Sequence, residues 1–359
     1  MMTPFVMNFY ELMSVSAPGL PEHFRKKIKA NLGHFVVETD GPIPLQADIT
    51  ILPMEDYPQI DAFERHLNHI FGFTMMDYRQ GKAACFLHRG KPDICVFLTS
   101  AVTMEIRYRS LLGRENAFYG IFLFCLQLVM KLKRGLLCHG SVVVKDGKAI
   151  ILSGHQGIGK TPMLLSFLHR GWNYLSDDKF FLVNQELFLM ETHVVINQYH
   201  FSVLPWLSRY LSTDIQTRMP RSVLHLLDKI ASRIWPGGIP VKVYRYLNPG
   251  MRINLHEEQF KKKIVSQAKP DHLCILQRGQ QFFIDPLERA SALDKMALLQ
   301  QSFFSHRSNL ESAILLYGNV FATPARQILE ENLPDIRFSL VTFSGESDIA
   351  LMYDRIASN

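Results

Sequence analysis

Apolar positions fall into two regimes along the chain. In residues 1–115 they come in short runs. The stretch 47–53 (ADITILP) alternates toward its end, and 82–88 (KAACFLH) and 93–99 (DICVFLT) are split by Arg89-Gly90-Lys91-Pro92. Such runs bounded by turn residues predict strands, the last two a hairpin. Ala62–Ile70 is spaced as a helix. This part predicts a small N-terminal α+β domain.

Beyond residue 115 the elements follow one another closely. Asn116–Arg134 predicts one helix ended by Gly135. Ser141–Lys145 and Lys148–Ser153 are β-rich runs joined by Asp146-Gly147, a strong hairpin signal. Pro162–Arg170 is apolar at helical spacing and stops at Gly171. Trp172–Leu175 predicts a strand that delivers Ser176-Asp177-Asp178 at its end. Phe180–Val183 and Leu187–Met190 flank Asn184-Gln185-Glu186, a second hairpin. Farther on, Pro236–Pro240 and Asn248-Pro249-Gly250 mark loops or lids. Lys262–Ser266 and His272–Gln277 predict strands; Ala290–Phe304 and Asn309–Tyr317 predict helices. Pro324–Leu333 predicts a helix with Thr323 as cap and Pro324 at its first position. The expected class is α/β (α+β mixed). The domains are 1–115 and 116–359, with a core at 136–290 and C-terminal helices at 290–359.

Composition narrows the picture. Hydrophobic residues make up 47% of the 359, enough for a sizeable core, and charged residues only 20%, which excludes a disordered chain. The net charge of +6 suits phosphate-rich ligands, acidic peptides or nucleic acid. The basic clusters at 25–29, 131–134 and 261–263 read as solvated faces. They do not interleave with aromatic residues, so no nucleic acid is expected. Cys85, Cys95, Cys125, Cys138 and Cys274 lack metal-type spacing and read as buried free thiols of a reducing compartment. No signal peptide is evident. The most apolar stretch, 117–130, is too short to span a bilayer. A cytoplasmic protein is expected.

Chemistry concentrates at Gly154-His155-Gln156-Gly157-Ile158-Gly159-Lys160-Thr161, which fits G-x-x-x-x-G-K-[ST]. The context fits as well: the strand AIILS precedes it and an amphipathic helix follows. Glycines let successive backbone N–H groups form an anion nest. The helix offers its positive end to phosphates. Lys160 adds a mobile charge, and the Thr161 hydroxyl can ligate Mg²⁺. Pro162 lacks an N–H, which predicts a modest loss of nucleotide affinity.

The next strand brings Asp177 and Asp178 beside this nest. One carboxylate can hold Mg²⁺, and the other can accept a proton from an attacking hydroxyl. His139-Gly140 precedes the hairpin that feeds the loop. His66 and His69 lack a third ligand, and Met75-Met76 reads as core.

Three segments together resemble the HPr kinase/phosphorylase superfamily, whose core is similar to that of PEP carboxykinase. They are Leu137–Ser141, Asp146–Gly154 running into the loop, and Gly171–Asp178. The resemblance implies a PEP carboxykinase-like P-loop core and a phosphotransferase using ATP and Mg²⁺. It implies that Lys160 and the loop amides hold the phosphates, with Pro162 closing the cofactor-binding stretch without donating an N–H. Thr161 and Asp178 serve the metal, Asp177 is the base, and His139 lies near both. The two aspartate roles are open to exchange. The family's E-x-R-G-x-G segment is absent; that region reads INQYHFSVLPWLSRYL. The resemblance therefore does not extend to HPr as substrate. Arg209, Arg221, Arg245 and Arg252 are candidate substrate arginines. The expected partner is a hydroxyl-bearing acceptor: peptide, protein or small molecule. No membrane partner is expected, and a homo-oligomer is left open. The alternative is an ATP-binding regulatory or interaction module without phosphoryl transfer.

Overall fold

The computed structural model describes residues 5–37, 47–54, 73–78, 81–88, 91–99, 103–109, 115–191, 193–196, 198–209, 251–254, 263–304, 323–345, 348–349, 353 and 355–356. The elements expected at 62–70, 236–240, 248–250 and 309–317 lie outside these residues. So do His66, His69, Arg221 and Arg245.

The chain is a mixed α/β protein built on two large sheets. The first holds β1 (Val6–Phe9), β2 (Met13–Ser16), β3 (Val36–Val37), β4 (Ile49–Pro53), β5 (Phe73–Tyr78), β6 (Gly81–His88), β7 (Lys91–Leu98) and β8 (Met104–Tyr108). Their order is β3-β1-β2-β4-β8-β7-β6-β5. The hairpin expected around residues 89–92 is β6–β7, with a register shift after Phe86. Cys85 and Cys95 correct the reading of five free thiols. Antiparallel register sets them directly opposite each other, Cα atoms 4.1 Å apart, and they are joined as a disulfide. Cys125, Cys138 and Cys274 are free and buried.

Helices α1 (Glu22–Leu32) and α2 (Glu115–Leu132) pack on this sheet. Gln127, buried on α2, is satisfied because its Oε1 accepts the Leu137 N–H at 2.6 Å. No described helix is long and apolar enough to cross a membrane.

The second sheet begins with β9 (Leu136–His139), β10 (Ser141–Lys145), β11 (Lys148–Ser153), β12 (Asn173–Ser176), β13 (Lys179–Val183) and β14 (Glu186–Leu189). Asp146 and Gly147, at φ 52 and 77, close the β10–β11 hairpin, as do Asn184 and Gln185 for β13–β14. Two positive φ values in a row give the turn whose twist suits a hairpin. A separate pair joins β15 (His193–Ile196) to β16 (Met251–Asn254), which carries Arg252. Arg209 ends a 3₁₀ turn after the short helix α4 (Gln198–Val203).

The long β17 (Gln267–Arg278) binds the second sheet together. It runs parallel to β11 and to β19 (Arg337–Phe343), and its start meets β14. β18 (Phe283–Pro286) pairs with β19 at the edge. Of the strand expected at 262–266, the described residues 263–266 form one bridge, Tyr174 with Ile264. Helix α3 (Lys160–His169) covers one face of the sheet; α5 (Arg289–Phe304) and α6 (Ala325–Asn332) cover the other. Along β11, Ile150 and Leu152 face α3, while Ala149 and Ile151 face α5 and α6. Both faces are covered, so these strands read as continuous apolar runs rather than as alternation. At α6, Pro324 rather than Thr323 is the cap, with extended backbone and no side-chain cap bond.

One apolar core runs across residue 115. It joins Phe9 and Ile51 of the first sheet, the length of α2, and Phe181 and Phe188 of the second. The rings of Phe9 and Phe181 meet edge-on at 5.7 Å.

Candidate phosphate-binding site

The site lies where β11 turns into α3. Gly154 must approach the neighbouring strand closely: a Cβ there would lie 3.0 Å from the Leu276 carbonyl oxygen. Gly159 caps α3 at φ 115, which only glycine adopts freely. His155, Gln156 and Gly157 are exposed at the loop tip, and Ile158 anchors the loop in the core. Pro162 is the third residue of α3, where a helix leaves its N–H without an internal partner. No helical hydrogen bond is lost, and its carbonyl accepts the Ser166 hydroxyl at 3.0 Å.

Lys160 is buried and arches back over the loop. Its Nζ donates to the carbonyls of Gly154 at 2.8 Å and His155 at 3.0 Å. Burial lowers its pKa, with the charges of Asp178 and Asp177 opposing.

The end of β12 brings the acids to the same place. Thr161 Oγ1 donates to Asp177 Oδ2 at 3.0 Å and lies 3.2 Å from Oδ1. Ser141 Oγ donates to Asp177 Oδ1 at 2.6 Å. The Asp177 N–H donates to the Tyr174 hydroxyl, which donates in turn to the Glu191 carbonyl. Asp177 is only 6% exposed. Burial above all pushes its pKa up; the Ser141 bond opposes, and the neighbouring Asp178 charge adds to the rise.

Asp178 faces a different environment. Its side chain is 47% exposed, and its backbone sits at φ 81, strained for an aspartate. Lys179 Nζ bonds Oδ2 at 2.5 Å. His139 Nδ1 lies 2.8 Å from the Asp178 carbonyl oxygen and 3.1 Å from Oδ1. A carbonyl oxygen can only accept, so Nδ1 carries the proton. Gly140 N–H holds the same carbonyl at 3.1 Å. Burial raises the pKa of Asp178, but Lys179 and then His139 outweigh it and hold the group well below the usual carboxylate range.

The loop, both aspartates and His139 are thus brought together, and Thr161 bonds Asp177 rather than Asp178. No family model matches the chain. No curated protein sequence matches it. A solved structure of the HPr(Ser) kinase/phosphatase from Coxiella burnetii is similar over 62% of this chain and 94% of its own, at 11% identity and a TM-score of 0.27. A likeness at that level carries no argument.

Sequence reading missed two groups. Lys179, buried beside Asp178, also bonds Glu191 Oε1 at 3.1 Å. Glu191 in turn lies within reach of the Tyr119 hydroxyl at 3.3 Å and of His193 Nε2 at 3.6 Å. Gln300 of α5 brackets His139, accepting its N–H at 2.5 Å and donating to its carbonyl at 3.2 Å. A lysine immediately after an acid pair was a visible signal for the first. Gln300, far away in sequence, gave none.

Proposed function

We propose that this chain is an ATP- and Mg²⁺-dependent kinase that transfers the γ-phosphate to a hydroxyl of a peptide, protein or small molecule. The observation that carries this reading is the 3.0 Å contact from Thr161, in the first turn of the phosphate-loop helix, to Asp177. That contact supports reading the loop and Asp177 as one site.

The donor set suits Mg²⁺. Thr161 would offer one hard oxygen ligand, and an aspartate the second: Asp178, held anionic, or Asp177, which already touches Thr161. Mg²⁺ is commonly held by one or two protein oxygens plus substrate phosphates and water. Once bound, the ion neutralises phosphate charge.

The two aspartates are pushed apart in proton affinity, which supports giving them different roles. Asp178 is kept anionic by Lys179 and His139, as a metal ligand requires. Asp177 has the raised affinity of a proton acceptor. The acceptor hydroxyl gives its proton to Asp177 while its oxygen bonds the γ-phosphorus. The bond to the β–γ bridging oxygen breaks, and that oxygen keeps the electron pair as ADP leaves. Lys160 and the loop amides stabilise the charge on the transferred group. A cytoplasmic location, where ATP is supplied, belongs to the same reading; the Cys85–Cys95 pair runs against it.

The test is calorimetry with Mg·ATP, followed by incubation of the protein and γ-labelled ATP with cell extract. Binding heat and a labelled acceptor are expected. Absence of binding heat ends the proposal; binding without any labelled product leaves the regulatory module in its place.

A further inference from the structure

The phosphate loop has two unlike flanks. On one side of β11 stand β10 and β12, and β12 delivers Asp177 and Asp178. On the other stand β17 and β19, both parallel to β11. Parallel strands gather their ligands at their carboxyl ends, and here those ends carry Ser153, Arg278 and Phe343. Register pairs Ser153 with Ile275, so Arg278 stands three residues farther along β17. That is about 10 Å beyond the end of β11, on the side toward which the loop rises.

Arg278 is exposed yet held. Its guanidinium carbon lies 4.7 Å from the centroid of the Phe343 ring, and one amino group reaches the Ser344 carbonyl at 3.4 Å. The Phe343 ring is buried and abuts the loop: a Cβ on Gly159 would lie 3.6 Å from it. Ser344 is pinned in turn, its N–H and hydroxyl donating to Asp348 Oδ2 at 2.8 and 2.9 Å. The loop, the ring and the guanidinium therefore form one continuous wall on the side away from the acids.

We propose that Arg278 is the platform for the nucleoside end of the bound nucleotide, with the base stacked on its outer face. This rests on the kinase reading, which puts the γ-phosphate beside Thr161 and the aspartates. A triphosphate lying across the loop from that end directs its sugar and base toward β17 and β19. There a planar guanidinium, stiffened on one face by Phe343, offers the other face to a π system. Arg278 was not among the sequence candidates, because only the pairing of β17 with β11 brings it to the loop.

The experiment compares Mg·ATP with Mg·tripolyphosphate by calorimetry on the full chain, for wild type, R278A and R278K. The side chain is exposed, and circular dichroism checks that the variants fold. Both variants are expected to lose roughly tenfold in ATP affinity and to bind tripolyphosphate as wild type does. Three results overturn the inference: unchanged ATP affinity in R278A, an equal loss for tripolyphosphate, or full recovery in R278K. Unchanged ATP affinity with lost transfer would assign Arg278 to the acceptor instead. If wild type binds neither ligand, it is the kinase reading that fails; if it binds both, only the Arg278 assignment is at stake.

Discussion

The Thr161 hydroxyl stands 3.0 Å from Asp177 Oδ2, so the first turn of α3 and the end of β12 share a hydrogen bond. Asp178, one residue on, is turned to Lys179 and His139. The adjacent carboxylates are thus shifted in opposite directions.

Replacement of each acid should therefore act differently. Asp177→Asn keeps the volume but cannot take a proton. Transfer is expected to fall by roughly a hundredfold or more, with Mg·ATP affinity changed only a few-fold. Asp178→Asn is expected instead to raise the Mg²⁺ concentration needed for half-maximal activity. Steady-state kinetics at several Mg²⁺ concentrations checks both; near-normal turnover in Asp177→Asn removes it from the role of base.

The stretch from Ser141 to Leu189 was legible in the sequence because its signals are local. Asp146-Gly147 marks one turn, Asn184-Gln185 another, and the glycine loop lies between a strand and a helix. The β1–β2 hairpin was not legible: Tyr10 and Glu11 take φ 54 and 61 without glycine, held by the Asn8 side chain on the Glu11 N–H. Strand β19 escaped notice because its partner β17 lies about 65 residues upstream. Long-range register also explains the cysteines. Cys85 and Cys95 have no telling spacing and meet only once β6 pairs with β7. In the same way the phosphate loop and the acid pair could be read from order along the chain, whereas the place of Arg278 depends on which strands become neighbours.

The Lys179–Glu191 pair is buried on both sides, with exposures of 9% and 5%. Burial would lower the Lys179 pKa, but Glu191 and Asp178 outweigh it and raise it. Glu191→Ala leaves the buried ammonium with Asp178 as its remaining carboxylate partner and is expected to cost about 1.5–3 kcal/mol. Urea unfolding measures this. A Lys179→Met/Glu191→Leu double variant should recover most of the stability while losing activity. A single variant as stable as wild type would show that the ion pair is not needed by the fold.

Gly159→Ala probes the loop backbone. At φ 115 a side chain is strained, although its Cβ would meet Phe343 only at ordinary contact distance. The expected cost is about 1–3 kcal/mol from the backbone, together with weaker Mg·ATP binding as the loop shifts. Thermal melts with and without ATP separate the two effects. If the variant melts like wild type and binds ATP equally well, the left-handed cap is not required.

His272 makes stability depend on acid. It sits buried on β17, its Nε2 2.8 Å from Ser339 Oγ, and its Nδ1 has no hydrogen-bond partner among the described residues. Burial first, and then the Arg337 charge, lower its pKa from 6.5 to about 4, with Asp271 opposing. Between those values the unfolded chain binds the proton and the native chain does not. The contribution is therefore whole above pH 6.5 and is lost as pH falls toward 4, by about 3 kcal/mol at most. Urea midpoints at pH 7, 5.5 and 4.5 measure it. His272→Gln, which cannot titrate, should lose less stability over that range than wild type. Parallel acid limbs for the two proteins would show that other groups govern the loss.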